Sequence, residues 1–450
     1  MGTFPCPNRA SNSRRSMLER SAKRGQPSLT APGGSELVPG LKLNDVDDER
    51  LYIPTARSET SFAIPQPKDR LDWLVQVPEE GQTFDDYLNL LTTRTTGRMK
   101  PLANAEGMDV LLLPIVRDDD GDKDGEISQW PSSGPSRDQL VEYTKVFFDR
   151  QVKVLPAATL KVMNAHRTSN AKSTSRKNQR NNSTSISKLG AFAAASKCRF
   201  KLSLPGKSGK GGSIQTQVDV AGRMDISSDR IQLQVMSLLD ELSAYRYNRH
   251  STMTSKESKD FCIMGITMED LFDGPSDLFC AGMAFGGDKV AIFSFHRYHP
   301  LLKMHPLHWN CYGYTDKCDG YSYYEDDDQD PTGLSHRPPL SSNPESAADK
   351  KKMNSEFLRR SCKLLTHELG HLYGLDHCIH NRCLMMGTGH LVEDFSAPIH
   401  LCGVCLRKLQ WRTGCDIKMR YKLLADKFKS MGMEKERIWT RKQYEHLKKK

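Results

Sequence analysis

The amino-acid sequence predicts an α/β fold on three observations. Residues 108–116 (MDVLLLPIV), 136–150 (SRDQLVEYTKVFFDR) and 151–156 (QVKVLP) read as strand, helix and strand in succession, the alternation of an α/β layer. Residues 261–268 (FCIMGITM) and 289–298 (KVAIFSFHRY) are apolar runs rich in β-branched and aromatic side chains, hence strands. Two further stretches carry apolar residues at helical spacing: Ile231, Val235, Leu238, Leu242 and Tyr245 in one, Leu358, Leu365, Leu369 and Leu372 in the other.

Along the chain, residues 1–100 mix Pro, Gly, Ser and charge and are expected to be largely disordered, with 84–93 (FDDYLNLLTT) as a short candidate element. Residues 101–415 form the expected main domain. Inside it, 198–204 (CRFKLSL) reads as a strand that follows a basic polar insertion at about 164–196. A second polar, Pro-rich insertion is expected at 325–350, after which the helix should begin at Asn354 or Ser355, either of which caps well. Residues 416–450 are an expected basic helical tail with Tyr421, Leu424, Phe428 and Met431 on one face.

Composition narrows the function classes. Of 450 residues, 37% are apolar and 27% charged, and no run reaches the roughly 20 apolar residues that span a bilayer, so no membrane span is expected. The first residues lack the apolar segment of a secretory signal, which predicts an intracellular setting, cytoplasmic or nuclear. The 12 cysteines should therefore meet a reducing medium, where metal ligation outranks disulfides. The net charge of +10 gathers in residues 150–218, which hold no Asp or Glu. Within them 166–185 (HRTSNAKSTSRKNQRNNSTS) has no aromatic ring on which a base could stack, so nucleic acid is not the expected partner.

The chemistry concentrates at 366–378 (THELGHLYGLDHC). On a helix His367 and His371 share a face and can point both imidazoles at one cation. Glu368 sits about 100° further round, where a carboxylate can reach water beside the ion without ligating it. An open zinc site needs a third protein ligand, and a straight helix would carry the chain away. Gly374 can adopt the left-handed conformation that ends a helix, bringing His377 back under the same ion. Such a site activates water and polarises a peptide carbonyl, with Glu368 as general acid/base, so the expected reaction is peptide-bond hydrolysis on a peptide or protein substrate. Cys378, Cys383, Cys402 and Cys405 follow in two close pairs, which suits a second zinc whose shell is closed by thiolates and is structural. Two zinc ions per chain are therefore expected, one catalytic and one structural.

Other features read as decoys. Asp120, Asp122, Asp124 and Gly125 match the start of an EF-hand loop, but Pro131 stands where its last glutamate belongs. Cys311 and Cys318, with His305 and His308, lack a second pair at matching spacing, and Cys262, Cys280 and Cys362 read as buried thiols.

The run His-Glu-x-x-His-x-x-Gly-x-x-His-Cys, followed by 378–386 (CIHNRCLMM) and 402–410 (CGVCLRKLQ), resembles the archaemetzincins, metallopeptidases of the metzincin clan. The resemblance implies a metzincin-like mixed β-sheet with an active-site helix and a C-terminal subdomain carrying a four-cysteine structural zinc. It also implies catalytic zinc on His367, His371 and His377, Glu368 as acid/base, Met385 in a methionine turn beneath the metal, and aminopeptidase-like action on short peptides. In such folds an edge strand binds the substrate backbone, and 290–298 (VAIFSFHRY) is the expected one. The competing reading is a zinc-stabilised binding module with basic segments and vestigial activity; the intact Glu368 argues against it.

Overall fold

In the computed structural model, the described residues are 72–93, 108–119, 128–163, 197–206, 216–225, 230–251, 260–275, 277–302 and 346–449, with short pieces at 40–41, 43, 48, 51–52, 65, 208–209 and 212–213. The insertion at 164–196, residues 325–345, the EF-hand-like loop at 120–127 and the His305, His308, Cys311 and Cys318 group lie outside them.

The described elements begin with helices α1 (Trp73–Gln76) and α2 (Phe84–Thr93), then β1 (Val110–Arg117), α3 (Arg137–Phe148), β2 (Val152–Val154), β3 (Ala158–Val162) and β4 (Lys197–Leu204). A small ribbon, β5 (Ser208–Gly209) and β6 (Gly212–Ser213), precedes β7 (Thr216–Asp225), β8 (Arg230–Gln234) and α4 (Val235–Ser251). Strands β9 (Cys262–Thr267), β10 (Asp270–Phe272), β11 (Gly282–Phe285) and β12 (Val290–Ser294) complete the sheet. The helices α5 (Ala347–Leu372), α6 (Leu391–Ser396), α7 (Gly403–Thr413), α8 (Ile417–Ser430) and α9 (Glu434–Lys448) follow.

The main sheet is mixed, in the order β10-β8-β7-β4-β3-β1-β9-β12-β11, with β2 also on β1. Its centre is parallel, β1 with β2, β3 and β9, and β9 with β12. A parallel strand covered on both faces should be continuously apolar, and β1 is. Val110 and Leu112 join the core shared with α3 and α5, while Leu111, Leu113 and Ile115 face the core under α4. Pro114 has no N–H to give, and it falls where the partner of β1 changes from β2, ending opposite Leu112, to β3, starting opposite Ile115.

The structure corrects several expectations. Ser346, not Asn354 or Ser355, caps α5: its hydroxyl accepts from Asp349 N–H at 3.1 Å, and the intervening AADKKKMN is rich in the good helix formers Ala, Lys and Met. The helix thereby takes in the end of the insertion expected at 325–350. Ile231 belongs to β8, where Leu233 packs into the sheet core, and the helix begins only at Val235. Strand β12 is not an edge, since it pairs with β9 on one side and β11 on the other; among the described strands β11 is the edge on that side. Residues 72–83, expected to be tail, contain α1, and the candidate element at 84–93 forms α2, with Trp73, Val75, Phe84 and Tyr87 buried. Helices α8 and α9 dock through Tyr421, Leu424, Phe428, Met431, Trp439 and Leu447, each burial stabilising by about 1.5–3 kcal/mol. No described helix is long and apolar enough to cross a membrane.

Candidate active site

The last turns of α5 carry His367, Glu368 and His371, and the helix stops by backbone geometry. Tyr373 is the C-cap, Gly374 adopts φ +92°, Gly374 N–H bonds His371 O at 2.9 Å and Leu375 N–H bonds Gly370 O at 3.1 Å. This reversed pair of bonds around a left-handed glycine is the Schellman termination, and it turns the chain back so that His377 rejoins the helix end. Ring centroids of His377 lie 5.4 Å from His367 and 4.9 Å from His371.

Hydrogen bonds choose which nitrogen of each imidazole faces inward. His367 Nδ1 donates to Leu384 O and His371 Nδ1 donates to Leu375 O, both at 2.8 Å. A carbonyl only accepts, so each ring keeps its proton on Nδ1 and turns a lone pair on Nε2 toward the cluster. The two Nε2 atoms are 3.1 Å apart. One ring nitrogen from each of His367, His371 and His377 lies within 4.8 Å of the others. Burial, with His377 beside it, pulls His367 down to about 4, and burial pulls His371 well below the usual histidine value; both are therefore neutral and able to ligate.

Glu368 shares a pocket with His367 and His377, lined also by Cys280, Gly282, Tyr298, Lys363 and Asp394. Burial pushes its carboxyl up to about 8, and its Oε2 is buried without a hydrogen-bond partner. A cation beside it would lower that value again. Edge strand β11 passes close by: a Cβ at Gly282 would stand 3.1 Å from Glu368 Oε1. On the same wall Lys363 Nζ pairs with Asp394 Oδ1 at 2.7 Å, and the Tyr298 hydroxyl donates to Asp394 Oδ2. Burial lowers Lys363 to about 8; burial would raise Asp394, but Lys363 overrides it and holds the carboxylate below its usual range.

Met385 lies under the helix where Gly370 gives it room; a Cβ at 370 would stand 2.6 Å from its Sδ. Its carbonyl accepts from Cys378 N–H at 2.7 Å, tying that loop to the second cluster. There, one sulfur from each of Cys378, Cys383, Cys402 and Cys405 lies within 4.8 Å of the others, with all four residues buried. Cys378 Sγ is 3.8 Å from Cys402 Sγ, and Cys383 Sγ 3.9 Å from Cys405 Sγ. A tetrahedron with metal–sulfur bonds of about 2.3 Å has edges of about 3.8 Å. Cys402 caps α7 and Cys405 lies in its first turn, so the helix dipole favours thiolates there. Hydrogen bonds from Cys383, Cys402 and Cys405 hold Cys378 well below the usual thiol value.

All nine residues singled out from the sequence, His367, Glu368, His371, His377, Cys378, Cys383, Met385, Cys402 and Cys405, thus fall into these two neighbouring groups and the loop between them. Sequence reasoning missed Tyr298, Lys363 and Asp394. Lys363 stands one helical turn before His367, a spacing that could have flagged it; Tyr298 and Asp394 carried no such mark. It also missed Glu79, whose Oε1 accepts from His377 Nδ1 at 2.6 Å. Cys280, expected to be a buried thiol, is half-buried and lines the pocket, whereas Cys262 and Cys362 are buried as expected.

Residues 348–411 match the profile of Peptidase family M54. The chain is 35% identical over 202 residues to archaemetzincin-2 of Macaca fascicularis, covering 44% of this chain and 50% of that one. It is 27% identical over 209 residues to archaemetzincin-1 of Homo sapiens, covering 45% of this chain and 35% of that one. The chain spans about half the length of the first of these relatives. Among solved structures, archaemetzincin from Methanopyrus kandleri is 18% identical, with a TM-score of 0.31 over 69% of this chain and 98% of that one. The motif at 366–378 lies within the stretch that matches Peptidase family M54, and over about 44% of its length the chain is similar to the archaemetzincins.

Proposed function

We propose that the protein is a zinc-dependent metallopeptidase. The observation that carries this reading is the convergence of three imidazoles, within 4.8 Å of one another, beside the buried and unpartnered Oε2 of Glu368. The donor set fits zinc: with metal–nitrogen bonds of about 2.0–2.1 Å, tetrahedral edges are about 3.3 Å, close to the 3.1 Å between His367 and His371 Nε2. His367, His371 and His377 would hold the catalytic ion, and Cys378, Cys383, Cys402 and Cys405 a structural one, two ions per chain. Zinc, when bound, supplies a Lewis acid that acidifies water and polarises a peptide carbonyl.

The chain's own groups supply the rest. Glu368 takes a proton from water and passes it to the leaving amine. Strand β11, the edge on that side among the described strands, is where an extended peptide would add as a further strand, aligned past Glu368. Met385 packs beneath the site and keeps the 384–385 backbone where it orients His367 and Cys378. A cavity of about 110 Å³ lies beside Glu368, and aminopeptidase-like action on short peptides is the specificity proposed for it. The four unbridged, buried thiols favour a reducing compartment such as the cytoplasm or nucleus.

Profiling a peptide library with zinc-loaded protein, metal-stripped protein and stripped protein given zinc again tests the reading. Cleavage that disappears and returns with the metal is expected, mostly one residue from a free amino terminus. Zinc binding with no cleavage of any peptide would instead favour a zinc-stabilised binding module.

A further inference from the structure

The segment 73–87, far from the motif in sequence, grips the turn that carries the third histidine. The Tyr87 hydroxyl donates to Tyr373 O at 3.0 Å. Gln82 Nε2 donates to Gly374 O at 3.2 Å and to Asp376 Oδ2 at 3.0 Å, while its Oε1 accepts from Asp376 N–H at 3.3 Å and from Lys408 Nζ at 2.8 Å. The Trp73 indole stands edge-on to the His377 ring, 5.6 Å between centroids. Glu79 closes the set with its 2.6 Å contact to His377 Nδ1.

The three imidazoles are not oriented alike. His367 and His371 give their Nδ1 protons to backbone carbonyls supplied by residues 375 and 384, within the same stretch of chain. His377 has a carboxylate in that position, brought from residue 79. We propose that Glu79 is a positioning residue for the third ligand: its carboxylate holds the proton on His377 Nδ1, aims Nε2 at the ion, and makes that imidazole the most electron-rich of the three. The inference rests on the metal-site reading above. It makes residues 73–87 part of the metal centre although they lie outside the region that matches the peptidase family.

The test uses the full chain with two substitutions of similar size, Glu79→Gln, which keeps an acceptor oxygen, and Glu79→Leu, which does not. Zinc is titrated against chelators of graded strength, and the thermal midpoint of metal-free protein is recorded in parallel. For Glu79→Leu the more weakly held zinc is expected to loosen about 10- to 100-fold, with the thiolate-bound zinc and the metal-free midpoint unchanged. For Glu79→Gln most of that affinity should remain. Equal zinc affinity in wild type and Glu79→Leu would overturn the proposal, as would equal losses in both variants or a metal-free midpoint that falls in step with the affinity. Wild-type protein that binds only the thiolate-held zinc would instead overturn the metal-site reading itself.

Discussion

The histidine and cysteine clusters are built from one loop region yet differ in what surrounds them. The four thiols are at most 3% exposed, gathered at the N-terminus of α7 and backed by α8 and α9. The three imidazoles are half-buried and share a pocket wall with an ionisable carboxyl that has no partner. A donor set closed on all sides holds an ion and can do nothing further with it, whereas one left open on one side can admit water and substrate. The difference lies in what fills the fourth direction, a fourth thiol in one case and the pocket of Glu368 in the other. The two remain linked, because Cys378 follows His377 and Met385 O binds Cys378 N–H while Leu384 O binds His367.

Substitutions should separate the two clusters. Glu368→Ala is expected to retain both zinc ions and to lower peptide turnover by about 10²- to 10⁴-fold; metal content and kcat measured on one sample check it, and unchanged turnover would remove Glu368 from the reaction. Cys405→Ser should lose one zinc and lower stability by more than about 3 kcal/mol in denaturant titration; a full metal complement would contradict a four-thiolate site. Gly374→Ala acts on the open cluster alone. Its φ of +92° strains any side chain, so a loss of about 1–2 kcal/mol is expected, together with weaker zinc binding only at the histidines. Calorimetry of the metal-free and metal-replete forms distinguishes these losses.

The smallest effect concerns pH. Glu393 accepts from Trp73 N–H at 3.1 Å and Gly389 N–H at 2.8 Å, joining α1 to the pocket rim. Burial, with Asp72 nearby, raises its carboxyl from 4.5 to about 8. Between those values the folded protein keeps a proton that the unfolded chain has released, so this stabilising contribution is present below about 4.5 and is lost as pH rises through about 8. The thermal midpoint of metal-free wild type should therefore fall relative to Glu393→Gln between about pH 5 and 8. Parallel curves would show that Glu393 does not titrate in that window.

What the sequence made legible was local. Ligand spacing on one helix, a glycine stop and two close cysteine pairs are short-range patterns, and each landed where the spacing required. What it hid depended on distant chain. Glu79 sits in a polar stretch with no periodicity, and only the fold brings it to His377, 298 positions away. Asp394 and Tyr298 meet only because α6 packs against Tyr298, where Phe395 stands edge-on to its ring. The edge of the sheet was misread for the same reason: β12 looks stronger than β11 in isolation, yet pairing decides which strand is outermost.

Zinc-edge X-ray absorption on metal-replete protein, with the ion count taken from the same sample, addresses the contrast between the clusters most directly. Two zinc ions per chain are expected, one in an all-sulfur shell and one in a nitrogen and oxygen shell whose scattering carries the imidazole signature. A single ion with sulfur neighbours alone would contradict the open histidine site and the chemistry assigned to it.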